Sequence, residues 1–401
     1  MLEILVALLI GICAGTFTGL IPGIHINLVS LFVVSMLAYL LGFASPVTLA
    51  VFIAAMAVTH TFLDIIPAVF LGAPDSDAAL GVLPGHRLMM KGLAYQAVKL
   101  TVIGSLFSLL ICIALAPLFI YMIPAAYELL KNFIGWILLA VVAWMVLKEK
   151  GLNNKFWAVV VFMFSGILGL IVFNIPNVEQ GLFAMLTGLF GISMLIISIN
   201  TVIKIPEQKT GEEITVGKRN TIKAILAAIF SGSLVSFFPG LGPAQGAVIG
   251  GEIIRGIKDY SFLILLGGIN TVNMIVSFVT LYTIGKARNG AVLAISQIIP
   301  VDRNILIIFL ISALIAGGMA AVIALLISKA FARLISRLNY KLLCLIVIAF
   351  VAGIAFLLSG ALGLLILAVA TSIGLVPNVL KIKRSHAMGC LLLPVILWFV
   401  L

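Results

Sequence analysis

The chain has 401 residues, 63% of them hydrophobic and only 9% charged, against roughly 25% charged in an ordinary soluble domain. With a mean hydropathy of +1.33, this excludes a soluble enzyme or binding module and leaves a polytopic membrane protein whose function lies within or across the bilayer. The net charge of +11 excludes nothing until the charges are placed, because basic loops also mark the cytoplasmic face of a membrane protein.

The first apolar segment, from Leu2, carries Glu3 in place of a basic leader and no small-residue cleavage pattern follows, so it is expected to be retained. It runs into "GTFTGLIPGIHINLVSLF", Gly15 to Phe32, where a Pro-Gly pair, a histidine and an asparagine interrupt a run otherwise as apolar as a span. Apolar segments follow near 47–71, 93–123, 127–147, 156–174 and 181–203. After a polar linker, 204–220, come a second Pro-Gly stretch within 224–250 and segments near 261–284, 304–328, 342–358, 361–378 and 388–401. The predicted organisation is a first membrane repeat, 1–203, a cytoplasmic linker, 204–220, and a second membrane repeat, 221–401. Threading the segments with the linker inside places all of the 24 Lys and Arg on the cytoplasmic side except Lys131, Lys286, Arg288 and Arg303. That bias accounts for the basic charge and excludes nucleic acid as a partner. Cys13, Cys112, Cys344 and Cys390 stand singly in apolar segments and read as small core residues.

The second Pro-Gly stretch, "SGSLVSFFPGLGPAQGAV", aligns Gly232, Pro239 and Gly240 with Gly15, Pro22 and Gly23 of the first. Each half is a Pro-Gly hairpin followed by about five spans, so the first half starts outside and ends inside while the second does the reverse. The fold class is therefore all-α, two inverted-topology repeats, an arrangement common among secondary transporters. The inversion requires that 388–401 be a span. Broken backbone at membrane depth is tolerated only where protein or a wet cavity satisfies it, and paired breaks in two halves point to a transporter's binding site.

At these residues the chain resembles the TctA family, the large membrane subunit of tripartite tricarboxylate transporters. The resemblance lies in the two G-x6-P-G stretches, Gly15 to Gly23 and Gly232 to Gly240, and in "LGAPDSDAALGVLPGHRLMMKGLAYQAV", Leu71 to Val98. The chain departs from the family pattern in having Pro84, Gly85, His86 and Arg87 where the family has Asp-Gly-Tyr-Pro, and in offering Asn270 and Asn273 without a preceding Glu. The resemblance implies carboxylate uptake driven by an ion gradient, Na+ or H+, with no cofactor, alongside a small membrane subunit and an extracytoplasmic binding protein.

Candidate substrate or cation ligands are Thr16, Thr18, Pro22, Gly23, His25 and Asn27 in the first hairpin. In the second half they are Ser233, Ser236, Pro239, Gly240, Gly242, Gln245, Asn270 and Asn273. Against this stands a plainer reading, in which hydroxyls and amides only satisfy local backbone or neighbouring helices. His60 and Asp64, four apart on one helix face inside an apolar segment, are candidates for a proton relay; alternatively Asp64 is hydrated near the cytoplasmic end. Asp75 and Asp77 in an inner loop, and Lys286 and Arg288 in an outer one, read as solvated loop charges or an anion entry, and Glu252 with Arg255 as a local pair.

The sequence thus points to a secondary transporter of a small anionic solute, a di- or tricarboxylate, in the lipid bilayer of a cell membrane, working by alternating access. The rival transport reading is a flippase for a polyprenyl-phosphate lipid carrier, because paired hairpins suit a lipid phosphate equally. An intramembrane enzyme built on His25, His60 or Asp64 lacks nucleophile-base spacing and a metal cluster.

Overall fold

The computed structural model describes residues 2–21, 26–72, 79–176, 181–201, 205–211, 216–237, 242–254, 258–287, 289–335 and 339–400. Every regular element among them is helical, and no strand occurs among the described residues. Seven helices are long and apolar enough to cross a membrane: Leu2–Leu20, Pro46–Phe70, Ala94–Ala114, Leu152–Asn174, Asp259–Ile284, Arg303–Ile335 and Lys341–Val379. An eighth results if Ala116–Leu130 and Ile134–Leu147 count as one broken span. The second Pro-Gly helix, Lys218–Phe237, is not among the seven. The last segment forms a helix only over Gly389–Val400, 12 residues, about 18 Å at 1.5 Å per residue and short of the roughly 30 Å hydrocarbon core.

Two compact units make up the chain, and each draws segments from before and after the 204–220 linker. The first comprises Met1–Ile66, Tyr95–Leu129 and Gly211–Ala330, so both Pro-Gly stretches belong to it. In each stretch the helix stops before the pair and restarts after it: Leu2–Leu20 gives way to Ile26–Ser35, and Lys218–Phe237 to Pro243–Ile253. The first helix of each stretch lies along a central helix, Leu2–Leu20 on Pro46–Leu63 and Lys218–Phe237 on Asp259–Ile284, and the two central helices touch. Nearly all of each central span is buried, 94% for Pro46–Phe70 and for Asp259–Ile284, against 22–56% for the other five. Glycines make the approach possible. A Cβ on Gly11 or Gly15 would lie 2.5 Å from Phe52 O or 2.4 Å from Met56 O, and one on Gly104 only 2.0 Å from Ile264 O. Such small-residue contacts are how helices associate in lipid, where no hydrophobic drive separates helix from solvent.

The second unit comprises Pro67–Ala94, Leu130–Thr210 and Phe331–Leu401. Helix Leu152–Asn174 packs on Gly389–Val400 with backbone close to backbone, a Cβ on Gly169 falling 1.9 Å from Cys390 O. The long helix Tyr340–Val379 is kinked at Gly360 (φ 59°, ψ −151°), a backbone state open essentially to glycine alone, which falls between the two segments expected at 342–358 and 361–378. Part of the polar linker does not hang free. Gln208, 7% exposed, donates Nε2 to Met89 O (3.0 Å) and accepts from Ala94 N (3.0 Å), while Lys209 N donates to Gly92 O (2.7 Å). Gly92 turns with φ +76° beneath Glu207 O, so a glycine is required there.

Candidate functional site

In the first unit the two central helices carry a row of buried polar groups. Thr18 Oγ1, at the end of the first Pro-Gly helix, lies 3.1 Å from His60 Nδ1. One helical turn on, Asp64 caps helix Pro46–Leu63, its own N–H donating to His60 O, and its Oδ2 accepts a hydrogen bond from Asn270 Nδ2 of the facing central helix. Thr61 and Thr271 hydroxyls meet across the same seam at 3.3 Å. Three residues beyond Asn270, Asn273 offers its Oδ1 and its O to Ser236 Oγ, each at 3.2 Å, and Ser236 ends the second Pro-Gly helix. The row therefore runs from one hairpin to the other through Thr18, His60, Asp64, Asn270, Asn273 and Ser236, each 7% exposed or less. Asp64 itself is 3% exposed, which corrects its reading as a hydrated end residue. One of its contacts is thus with an amide on the facing central helix.

The other candidates divide. Thr16 Oγ1 donates to Ile12 O at 2.8 Å, a local helix bond. Gln245, 3% exposed, accepts from Gly242 N at 3.0 Å and so caps helix Pro243–Ile253 with Pro243 in its first turn. These three, Thr16, Gly242 and Gln245, stand as local structure in the plainer sense. Ser233 Oγ is buried with no hydrogen-bond partner among the described residues. Pro22, Gly23, His25, Pro239 and Gly240 lie outside the described residues, as do Asp75, Asp77, Arg255 and Arg288, and Asn27 is placed in helix Ile26–Ser35 by its backbone alone. Lys286 is not simply solvated: its Nζ donates to Tyr127 Oη at 2.8 Å and sits 4.6 Å above that ring. No group of three or more His, Cys, Asp or Glu that would hold a metal ion occurs among the described residues.

The second unit buries a cation that reading the sequence missed. Arg384 counts there only as one more inner-loop charge, yet it is 7% exposed and its Nη2 donates to Leu189 O (3.2 Å), Phe190 O (2.8 Å) and Ser193 Oγ (2.9 Å). These acceptors belong to and follow a π-helical turn, Thr187–Ile192, whose wider winding frees carbonyls that an ordinary helix would consume. Burial, then the like charge of Arg87, pulls Arg384 down to about 10, which leaves it charged at neutral pH. Burial, then the charge of Arg384, pushes His86 down to about 4, which keeps that ring neutral. Nearby in the chain, His386 Nε2 lies 3.0 Å from Glu149 Oε1. A lone Arg or Glu just outside an apolar segment is the only trace these contacts leave in the sequence.

Similarity to known proteins agrees with this architecture. The model of the tripartite tricarboxylate transporter TctA family matches residues 5–389. An uncharacterized protein of Methanocaldococcus jannaschii is 32% identical over 410 residues, covering 98% of each chain. No solved structure matches. Family and helices together make the chain a membrane protein and a transporter component rather than an enzyme, with partner subunits and a binding protein of the kind a three-part system uses. On a match spanning nearly its whole length, the chain belongs to the tripartite tricarboxylate transporter TctA family.

Proposed function

We propose that the chain is a secondary active transporter of a small di- or tricarboxylate, working by alternating access between the parts that carry the two Pro-Gly stretches, on either side of the linker 204–220. One observation carries the reading: the buried polar row from Thr18 through Asp64 and Asn270 to Ser236, which joins the two Pro-Gly helices through the two most buried spans. In this reading Asp64 is the coupling group. An ionised carboxylate at membrane depth is costly and becomes cheaper when a proton or Na+ binds it. Occupation of Asp64 would alter its bond to Asn270, and so the contact between the central helices of the two halves. The helices that end after Leu20 and Phe237 present free carbonyls next to this row, which suit a cation, while the N-terminus of helix Pro243–Ile253 favours an anion.

The test is uptake of radiolabelled succinate, malate and citrate into proteoliposomes under imposed Na+ or H+ gradients, with Asp64→Asn beside the wild type. Gradient-dependent uptake that Asp64→Asn abolishes is expected, and the effective gradient names the coupling ion. No uptake of any carboxylate by folded protein, with binding of a polyprenyl phosphate instead, would replace this reading with the flippase.

A further inference from the structure

Helices Leu2–Leu20 and Pro46–Leu63 run in the same direction: Gly11, Gly15 and Gly19 of the first meet Phe52, Met56 and Leu63 of the second in turn. The segment between them therefore returns the chain, and its helices Ile26–Ser35 and Leu37–Leu40 form the second arm of the first Pro-Gly hairpin. The two arms pack on different partners, the first on Pro46–Leu63 and the second chiefly on helix Gly290–Ile298. Between them, with Thr48, Leu49 and Phe52 as a third wall, lies a cavity of about 570 Å3 wholly within the first unit. Of its lining residues only Glu3 and Thr48 are polar, and the Thr48 hydroxyl is already engaged by Ser45 Oγ at 2.8 Å. Val6, Ile10, Phe32 and Phe43 line the cavity and are exposed as well, so it opens sideways between spans, toward lipid. One end is marked as the membrane surface. Glu3 begins the first helix there, and Tyr39 and Phe43, both exposed with ring centroids 5.1 Å apart, stand where the returning arm ends, the kind of aromatic side chain found at that level.

Size and charge select the occupant. An apolar cavity of roughly 150 Å3 stays dry and takes one benzene, so about 570 Å3 holds hydrocarbon of about twenty carbons rather than water. A spanning helix, roughly 10 Å across and about 20 residues long, is far too large. Glu3 to Ile10 covers about 10 Å and Leu40 back to Val29 about 16 Å at 1.5 Å per residue, close to one leaflet of a hydrocarbon core about 30 Å thick. The single charge in the lining, Glu3 at the surface end, is negative and opposes a carboxylate or a bare phosphate. We propose that this cavity is a lipid site: it takes one hydrocarbon chain of a membrane lipid whose headgroup carries an ammonium, with the ammonium beside Glu3 and the chain between the arms of the hairpin. The chain replaces packing that a void would forfeit and holds the arm that ends near Thr18 apart from the returning arm. The site does not depend on the polar row being the transport site.

The test is native mass spectrometry of the purified, delipidated full chain titrated with dioleoyl phosphatidylethanolamine, dioleoyl phosphatidylglycerol and a polyprenyl phosphate. Saturable binding of one phosphatidylethanolamine is expected in wild type, tighter than phosphatidylglycerol with the same chains. Ala7→Phe puts a ring into the cavity and should weaken both lipids roughly tenfold without lowering the unfolding midpoint of the lipid-free protein. Ala44→Phe fills the same space from the returning arm and serves if Ala7→Phe does not fold. Glu3→Gln should keep the chain bound and abolish the preference between the two headgroups. No saturable binding in wild type, or undiminished binding in folded Ala7→Phe and Ala44→Phe, overturns the site, whatever uptake shows about the transport reading. Tighter binding of the polyprenyl phosphate, a headgroup preference that survives Glu3→Gln, or a co-purifying polypeptide that must be removed before lipid binds overturns the assigned occupant.

Discussion

The two units bury polar groups by opposite means. In the first, side chains meet side chains across helices: a carboxylate is held by an amide, and hydroxyls meet an imidazole and an asparagine, with the partners far apart in sequence. In the second, a guanidinium sits on backbone, taking carbonyls that a π-helical turn has released. The difference bears on function. Side-chain pairs between separate helices can be remade when a proton or ion arrives, whereas a cation held on the backbone carbonyls of a packed π-helical turn keeps its place. The row in the first unit has the makings of a coupling element, and the cluster in the second those of a fixed electrostatic feature.

The comparison can be broken most severely in the first unit. Asp64→Asn should abolish gradient-driven uptake in proteoliposomes while leaving the protein folded, since asparagine keeps the size and most of the bonding at that cap. Helix approach is the next largest effect. Gly104→Val places a branched side chain against Ile264 O, where even a Cβ would lie at 2.0 Å, and should cost about 3 kcal/mol, seen as a lowered unfolding midpoint in detergent. In the second unit, Ser193→Ala removes one of three acceptors of Arg384 and should cost about 1.5–3 kcal/mol, the range for a hydrogen bond to a charged group.

A pH titration sharpens the same contrast. His86 has its pKa lowered from 6.5 to about 4 in the folded state, so between those values the unfolded chain binds more protons. Its contribution to stability is complete above about pH 6.5 and is lost as the pH falls toward 4. The unfolding midpoint should therefore drop over that window, and His86→Gln should flatten the drop.

Much of the outline was legible because it rests on local chemistry. An adjacent Pro-Gly pair removes a backbone donor and adds chain freedom at one point, so the breaks after Leu20 and Phe237 could be read directly, and the gap between segments 342–358 and 361–378 falls at Gly360. His60 and Asp64 were legible because ionisable residues inside apolar runs are rare. Their partners were not. Asn270 is more than two hundred positions from Asp64, and nothing local says that helices 46–63 and 259–284 touch. Gln245 looked like a ligand because a capping amide and a binding amide have the same sequence signature. Arg384 was invisible for the converse reason: among the inner-loop cations it resembles Lys381 and Lys383, and only the π-helical turn, which packs against helix 340–379, makes it different. The division into two units, each interleaving both halves, is likewise a matter of contacts and not of chain order.

The most direct measurement is gradient-driven carboxylate uptake by four proteins side by side: wild type, Asp64→Asn, Asn270→Asp, and the double exchange that moves the carboxylate to the facing helix. Loss of uptake in both single variants with substantial recovery in the exchange is expected if the Asp64–Asn270 contact couples the two Pro-Gly helices to the ion gradient. Undiminished uptake in Asp64→Asn, or an exchange no better than the single variants, would contradict that role.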